Sequence, residues 1–247
     1  LAGCSGQRPT LADAATPTSG AGTATSASTA PTSTVPVVRS PSPSTMIGYI
    51  ATPTGTPIVY AGPDTNTPAL DIGTTTDAGA PTTFAVVGDP TLPDTNWYQV
   101  LLPTRPNQGV GWVPALSVTL TKTPLRVFVD LANHTLTVQD DGKEVLSAPV
   151  AIGTAENPTP KGASYVTELI QNVDPDGAYG PYAFGLALHS DTLTEFNGGP
   201  GQVGIHGTNE PSKIGQDVSH GCVRLSNDDI ERLVDLQLPL GVPVFIS

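Results

Sequence analysis

The chain has 247 residues, a formal net charge of −12, a pI near 4.4 and only 13% charged residues. That length accommodates two modest domains. The acidic balance argues against a nucleic-acid-binding protein, which needs a basic face to meet phosphates. Gly and Pro contribute 26 residues each, which predicts a composition shift along the chain rather than one uniform globule. No stretch has the apolar length needed to span a bilayer.

The first four residues, Leu1-Ala2-Gly3-Cys4, resemble the lipobox of bacterial lipoproteins, where a signal peptide is cut before a cysteine that then carries a lipid. A chance match is the alternative. Residues 5–44 are almost wholly Thr, Ser, Ala, Pro and Gly, and bury too little apolar area to offset the entropy of ordering. We therefore expect a lipobox remnant at 1–4 and a disordered tether at 5–44. The lipid on Cys4 would be the only membrane attachment, holding an exported protein at the outer face of the cytoplasmic membrane, within the cell wall.

Residues 45–121 contain short apolar runs separated by Pro, Gly, Asp and Asn clusters, a pattern typical of a small all-β domain; the runs are 46–50, 58–60, 83–87 and 98–102. The run Asn96-Trp97-Tyr98-Gln99-Val100, followed by Gly109-Val110-Gly111-Trp112-Val113, resembles bacterial SH3-like domains. Trp97 and Trp112 either line a groove for wall peptide or glycan, or belong to the core, which is the preferred interpretation for a small barrel.

From residue 122 onward the pattern predicts a β-meander with tight turns at His134 and at Asp141-Gly142; its strands are 126–131, 136–138 and 145–152. One helix is predicted to begin near Ser226, since acidic residues follow this capping residue at the positive end of the helix dipole. Its apolar residues recur at helical spacing: Ile230, Leu233 and Val234. The strand 242–246 closes the chain.

Immediately before this helix stands Ser219-His220-Gly221-Cys222, and upstream an apolar run leads into His206-Gly207-Thr208. A thiol attacks a carbonyl as its thiolate, and a nearby imidazole promotes that state, so both histidines are candidate bases. Glycine beside the nucleophile allows close backbone approach. The N–H groups of Gly221 and Cys222 are therefore candidate oxyanion donors.

These motifs resemble the catalytic domain of L,D-transpeptidases over residues 122–247. The histidine strand and the S/T-H-G-C signature match, as does Thr159-Pro160-Lys161-Gly162, which fits the family's T-P-x-G stretch. The resemblance implies a mainly β chain: a small SH3-like β-barrel at 45–121, then a YkuD-type β-sandwich at 122–247 with one short helix after the cysteine.

The resemblance also implies roles for individual residues. Cys222 would be the nucleophile and His206 the general base, with the Gly207 carbonyl orienting the imidazole. His220 would organise the loop, and Ser219 and Gly221 would shape the oxyanion site. Arg224 stands where another branch of the family has Asn, and an arginine there suits a substrate carboxylate, although a structural role is the alternative.

The reaction implied is acyl transfer between peptidoglycan stem peptides without a metal or organic cofactor. Cys222 would attack the third-residue carbonyl of a donor tetrapeptide, release D-Ala and hold a thioester until an acceptor amine forms a 3→3 cross-link. Carbapenems are the expected covalent inhibitors, because they mimic the donor. Water as acceptor would give an L,D-carboxypeptidase, and a protein acceptor a wall-anchoring transferase.

Other interpretations fit parts of the same sequence. A wall-binding lipoprotein with an inactive domain is the main rival. A zinc site of His206, His220 and Cys222 is disfavoured because the paired ligand spacing of common zinc sites is absent. A Cys4–Cys222 disulfide is disfavoured because Cys4 lies in a segment too rich in Gly, Ser and Thr to be held in bonding geometry. His134 and His189 are interpreted as surface or packed histidines, and Asp228 and Asp229 as residues of a helix start.

Overall fold

The computed structural model describes residues 43–91, 96–196 and 198–247, which belong to one compact unit. These residues are mainly β with one α-helix, as predicted. No helix within these ranges is long and apolar enough to cross a membrane. The predictions for residues 1–4, including Cys4, and for the tether up to residue 42 lie outside the described residues.

The N-terminal sheet has seven antiparallel strands in the order β3-β2-β6-β5-β4-β1-β7. Its strands are β1 (Tyr49–Pro53), β2 (Val59–Tyr60), β3 (Ala69–Leu70), β4 (Phe84–Val87), β5 (Trp97–Leu101), β6 (Val110–Pro114) and β7 (Val118–Lys122). A 3-10 helix, Ala115–Ser117, links the last two. The predicted apolar runs fall on or beside β1, β2, β4 and β5. The SH3-like identity and the boundaries at 45 and 121 stay predictions.

The C-terminal sheet has eight strands in the order β10-β9-β8-β17-β12-β13-β14-β16. Its strands are β8 (Leu125–Asp130), β9 (Thr135–Asp140), β10 (Lys143–Pro149), β12 (Gly162–Gln171), β13 (Tyr182–His189), β14 (Gln202–His206), β16 (Val223–Arg224) and β17 (Pro243–Ile246). Two further strands, β11 (Ile152–Gly153) and β15 (Asp217–Ser219), pair with each other in parallel. A 3-10 helix, Pro211–Lys213, lies between β14 and β15. The meander β8-β9-β10 follows the predicted pattern, and β14 pairs in parallel with β16.

Helix α1 (Asn227–Asp235) begins where its capping residue predicts. The Ser226 hydroxyl accepts the Asp229 N–H at 3.1 Å, which satisfies one of the free donors of the first turn. Ile230 and Leu233 are fully buried and belong to the same apolar cluster as Val127 and Val129 of β8. The helix is therefore held against the sheet by its apolar face, and it fixes the chain directly after the cysteine.

A second apolar cluster joins the two sheets. Met46, Leu101 and Val110 from the N-terminal segment share it with Tyr165 and Phe245 of the C-terminal sheet. The core of the molecule therefore crosses the boundary between the two predicted segments.

Polar contacts reinforce this junction. The Arg105 guanidinium donates to the carbonyls of Ser190 at 2.6 Å and of Leu193 and Pro200 at 3.0 Å. Asn107 exchanges two hydrogen bonds with the His189 backbone, at 2.7 and 2.8 Å. The N-terminal sheet thereby fixes the loop that leads into β14 and its terminal histidine.

The two tryptophans lie on neighbouring strands of the N-terminal sheet. Both are half-buried, and neither belongs to a buried core cluster. Tyr60 packs edge-on against Trp97, with ring centroids 5.3 Å apart at 89°. Intermediate burial fits both interpretations, so core packing of the two tryptophans also stays a prediction. Ligand binding by this surface stays a prediction.

Candidate active site

Parallel pairing of β14 with β16 brings the cysteine and the first histidine together. Ile205 is in register with Val223 and His206 with Arg224, and the Leu225 N–H donates to the His206 carbonyl at 2.8 Å. Cys222 directly precedes β16, and its Sγ accepts the Gly204 N–H at 3.4 Å. Residues 16 positions apart in sequence therefore line one cavity.

His206 is held as a neutral base. Its ring is 3% exposed, and Nδ1 lies 2.6 Å from the Gly207 carbonyl oxygen. A carbonyl only accepts hydrogen bonds, so Nδ1 carries the proton and Nε2 offers a lone pair. Burial lowers the pKa of His206 to about 4; the Gly207 carbonyl opposes this change and the Arg224 charge adds to it. Near neutral pH this imidazole is uncharged and able to accept a proton.

Cys222 carries a free thiol on a partly exposed residue. Burial raises the pKa of the thiol, while the Gly204 N–H and the Arg224 charge oppose that rise. A neutral thiol and a neutral imidazole that line one cavity fit general-base catalysis, where the proton moves as the nucleophile attacks. The arrangement differs from a resting thiolate.

The turn between β15 and β16 is closed by Ser219, which is 1% exposed. Its hydroxyl donates to the Cys222 carbonyl at 2.6 Å and accepts the Gly221 N–H at 3.1 Å. Gly221 has φ +119°, a conformation that favours glycine. Because the Gly221 N–H already has a partner, its predicted oxyanion role requires that bond to break. The role stays a prediction.

His220 and Arg224 border the thiol on its other side. The exposed His220 ring lies 5.1 Å from the Phe196 ring. The Arg224 side chain is 18% exposed, its Nη1 lies 3.4 Å from Glu210 Oε2, and its buried Nε has no hydrogen-bond partner among the described residues. Glu210 partly neutralises the guanidinium. Substrate binding and a purely structural role for Arg224 both stay open.

The segment after His206 packs too closely for any side chain at Gly207. A Cβ there would lie 2.5 Å from Asn227 Oδ1 and 3.0 Å from the Gly180 Cα. Asn227 also accepts the Thr208 N–H at 2.9 Å, so the first residue of α1 fixes the backbone that bears the orienting carbonyl. The Tyr179 ring lies 4.7 Å from the His206 ring. The sequence does not indicate Tyr179 or Asn227 as site residues, because neither belongs to a recognisable catalytic motif.

Two cavities meet at the thiol, and His206 and Cys222 line both. The larger, of about 350 Å³, extends over β12 and β13 to Glu168 and Gly185. The smaller, of about 190 Å³, shares Tyr179 and Phe196 with the larger and is lined in addition by His220 and Arg224. Each cavity therefore offers space next to Cys222.

The remaining candidate histidines and aspartates lie outside the cavities that Cys222 lines. His134 Nε2 lies 2.6 Å from Asp217 Oδ1, and His189 is 9% exposed. Asp228 and Asp229 occupy the first turn of α1, as predicted for helix-start residues. Within the described ranges no group of three or more His, Cys, Asp or Glu side chains is placed to hold a metal ion.

Sequence comparisons give this site a family. The YkuD model, which describes an L,D-transpeptidase catalytic domain, matches residues 124–246. YkuD of Bacillus licheniformis is 33% identical over 124 residues, covering 50% of this chain and 66% of the relative. YqjB of Bacillus subtilis is 30% identical over 132 residues, covering 49% of this chain and 70% of the relative. Both names place their proteins among the L,D-transpeptidases. The chain belongs to the YkuD-type L,D-transpeptidase family, and it spans about two thirds of the length of these relatives.

Solved structures show a weaker likeness. L,D-transpeptidase 3 from Mycobacterium tuberculosis is 20% identical with a TM-score of 0.42, covering 58% of this chain and 76% of that one. The L,D-transpeptidase LdtMt1 in complex with imipenem is 18% identical with a TM-score of 0.44, covering 67% and 90%. The family assignment therefore rests on the sequence comparisons alone.

Proposed function

We propose that this protein is a peptidoglycan L,D-transpeptidase that forms 3→3 cross-links through a thioester on Cys222. The observation that carries the proposal is the pairing of β14 with β16, which places Cys222 and a neutral His206 in one cavity. The family assignment supports acyl transfer by this pair.

In the first step, Sγ of Cys222 attacks the carbonyl between the third residue of a donor tetrapeptide and its terminal D-Ala. Nε2 of His206 takes the thiol proton as the C–S bond forms, and then gives it to the departing amine as the C–N bond breaks. The Gly207 carbonyl favours the charged imidazolium, because its hydrogen bond raises the pKa of His206 against the effect of burial. The products are D-Ala and a thioester.

In the second step, a side-chain amine of another stem attacks the thioester. His206 accepts the amine proton as the amide C–N bond forms, and it returns that proton to Sγ of Cys222 as the C–S bond breaks. The two cavities that Cys222 lines support a two-substrate reaction, since each offers space for one substrate next to the thiol. Water arriving by the acceptor side would give the L,D-carboxypeptidase instead.

The remaining parts of the chain complete the proposal. The lipid on Cys4 and the tether at 5–44 hold the enzyme at the outer face of the cytoplasmic membrane, and an SH3-like domain at 45–121 contributes binding to the wall. Replacing Cys4 by Ala should release the protein from the membrane fraction. A Cys4→Ala protein still found there would overturn the lipid anchor.

The test of the activity uses the Cys4→Ala chain, so that Cys222 is its single thiol, mixed with muropeptide tetrapeptides and followed by intact-mass spectrometry. A transient adduct on Cys222, loss of one D-Ala and a cross-linked dimer are expected. The matched Cys222→Ala protein should show none of these. Loss of D-Ala without a dimer would identify the carboxypeptidase, and a mixture with no adduct and no turnover would favour the wall-binding protein.

Carbapenems give an independent test of the donor side, because their strained lactam carbonyl stands in for the donor carbonyl. Imipenem should add to Cys222 and leave the Cys222→Ala protein unmodified. Absence of any adduct after long incubation with several carbapenems would count against acylation by donor mimics.

A further inference from the structure

The larger cavity beside the thiol contains a buried carboxyl group without a partner. Glu168, on β12, is 4% exposed, and its Oε2 has no hydrogen-bond partner among the described residues. Desolvating a carboxylate without compensation is costly. A carboxylate that lines a cavity in this condition is therefore a candidate to bind a ligand that brings a positive charge.

Two features of the backbone position this carboxyl group: a register shift between β12 and β13, and a glycine opposite Glu168. The register of β12 against β13 shifts between Val166 and Glu168, so that Glu168 lies opposite Gly185. A Cβ at Gly185 would lie 2.5 Å from Glu168 Oε1, so the carboxyl occupies the space that a side chain would otherwise fill. The neighbouring Gln202 amide donates instead to Thr167 Oγ1 and to the Leu186 carbonyl, both at 3.1 Å, so it does not provide a partner for Glu168 Oε2.

The charges around this cavity favour a cation. A second carboxylate, the exposed Asp77 of the N-terminal segment, also lines it, and no Lys or Arg is among its described lining residues. Arg224 borders the smaller cavity instead. His206 is uncharged near neutral pH. A ligand with one end at Cys222 and an ammonium group at the other would match this distribution.

We propose that Glu168 binds the primary ammonium group on the third-residue side chain of the acyl donor, and that this contact sets donor specificity. This rests on the proposed function, because the donor carbonyl must lie at Cys222 for its side chain to extend over β12 and β13. Asp77 adds to the field from the N-terminal segment. Glu168 thus acts as a binding residue and takes no part in the proton transfers.

The test uses two synthetic tetrapeptide donors that differ only in whether this side-chain amine is free or acetylated. The rate of Cys222 acylation is measured by intact mass in the Cys4→Ala protein. The free-amine donor should react about tenfold faster, the size expected of one charge-assisted hydrogen bond. Glu168→Gln should remove that preference by slowing only the free-amine donor. Glu144→Gln, on the exposed β10, makes the same charge change and should leave the preference intact.

Equal rates for the two donors in the protein with native Glu168 would overturn the inference without reference to any variant. An equal slowing of both donors by Glu168→Gln would also overturn it, since that pattern marks a structural role. Acylation by faropenem, a penem without any cationic group, checks that the variant keeps its site. Failure of both donors to acylate native Glu168 protein would overturn the proposed function, and this inference with it.

Discussion

At the scale of single residues, the resting protonation states define how the site works. The low pKa of His206 and the raised pKa of Cys222 both arise chiefly from burial, which disfavours each charged form. A preformed thiolate–imidazolium pair is therefore disfavoured before substrate arrives. In the proposed mechanism, Cys222 becomes a strong nucleophile only when a bound carbonyl lets the thiol proton move to Nε2 of His206.

The first prediction concerns stability and pH. His206 has a pKa of about 4 when folded and an ordinary value of 6.5, so the unfolded chain binds this proton more readily. Its contribution is present above pH 6.5 and is lost as pH falls towards 4, a change of about 3 kcal/mol in the free energy of unfolding. His206→Gln should lack this component. Urea unfolding of both proteins at pH 4 to 7 measures the difference in slope.

Cys222→Ala provides the control for that experiment, because it keeps His206 and should keep the steep pH dependence. Carboxyl groups titrate in all three proteins and cancel in the comparison. Parallel curves for the native and His206→Gln proteins would show that the imidazole is not desolvated by folding.

The second prediction concerns the thiol. In the Cys4→Ala background, the rate of alkylation by iodoacetamide should keep rising beyond pH 9.0, because burial raises the pKa of Cys222 above that ordinary value. A short peptide containing Ser-His-Gly-Cys should reach its plateau earlier. Arg224→Gln should delay the rise further, since the guanidinium lowers the thiol pKa. A plateau near neutral pH would instead reveal a resting thiolate.

The sequence indicates the candidate catalytic residues more readily than the residues that pack around them. Cys222 and His206 each belong to a short and specific sequence motif, so the pair can be identified as a candidate from the sequence. Tyr179, Asn227 and Glu168 reach the site from a loop, a helix start and a strand that are distant in sequence. The sequence around a glutamate in a strand does not show whether its side chain is buried and able to bind a ligand or exposed to solvent. Only the tertiary arrangement identifies it.

At the scale of elements, the turn 219–222 depends on one hydroxyl. Ser219→Ala would leave the buried Gly221 N–H and the Cys222 carbonyl without their partner, at a cost of about 1–3 kcal/mol. Because both groups flank the nucleophile, acylation by imipenem should slow as well. Thermal unfolding and acylation rates measure the two effects. Ser219→Thr keeps the hydroxyl and should retain most of both.

Ser147→Ala, on the exposed part of β10, is the matched control and should change neither quantity. Unchanged acylation in Ser219→Ala would mean that the turn holds its geometry without this side chain.

Local signals also explain which elements were predicted. Helix α1 was found because a serine cap, acidic first-turn residues and an apolar stripe coincide. The sequence does not predict the ten-residue strand β12. Its register shift at Val166/Glu168 interrupts the strict alternation of buried and exposed side chains, and its buried residues are consecutive. The short strand β3 has too few residues to carry a pattern.

At the scale of the whole molecule, the sequence suggested two domains meeting near residue 122, whereas a core cluster spans both segments. Composition and motif spacing report what each segment contains, and they carry no information on which apolar faces are buried against each other. The sequence does not predict the hydrogen bonds from Arg105 to the loop before β14 either, since their acceptors are backbone carbonyls, which every residue has.

The shared cluster predicts cooperative unfolding of the two sheets. Both tryptophans of the chain, Trp97 and Trp112, lie in the N-terminal sheet, so their fluorescence reports on that sheet alone. Phe245 lies in β17 of the C-terminal sheet, is 7% exposed and stacks on Phe128 at 5.4 Å. Phe245→Ala should destabilise the chain by about 3–5 kcal/mol. Because Met46 and Leu101 share its cluster, the fluorescence transition in urea should shift together with the far-UV circular dichroism.

Val145→Ala, which truncates a half-exposed side chain on β10, should leave both transitions in place. If Phe245→Ala moved the circular dichroism transition while the tryptophan transition stayed where it was, the two sheets would be independent folding units. Coincident shifts would mean that the N-terminal sheet is part of the structure that holds the loop before β14, and with it the surroundings of Cys222 and Glu168. Substitutions in the N-terminal sheet would then alter donor specificity without touching the nucleophile.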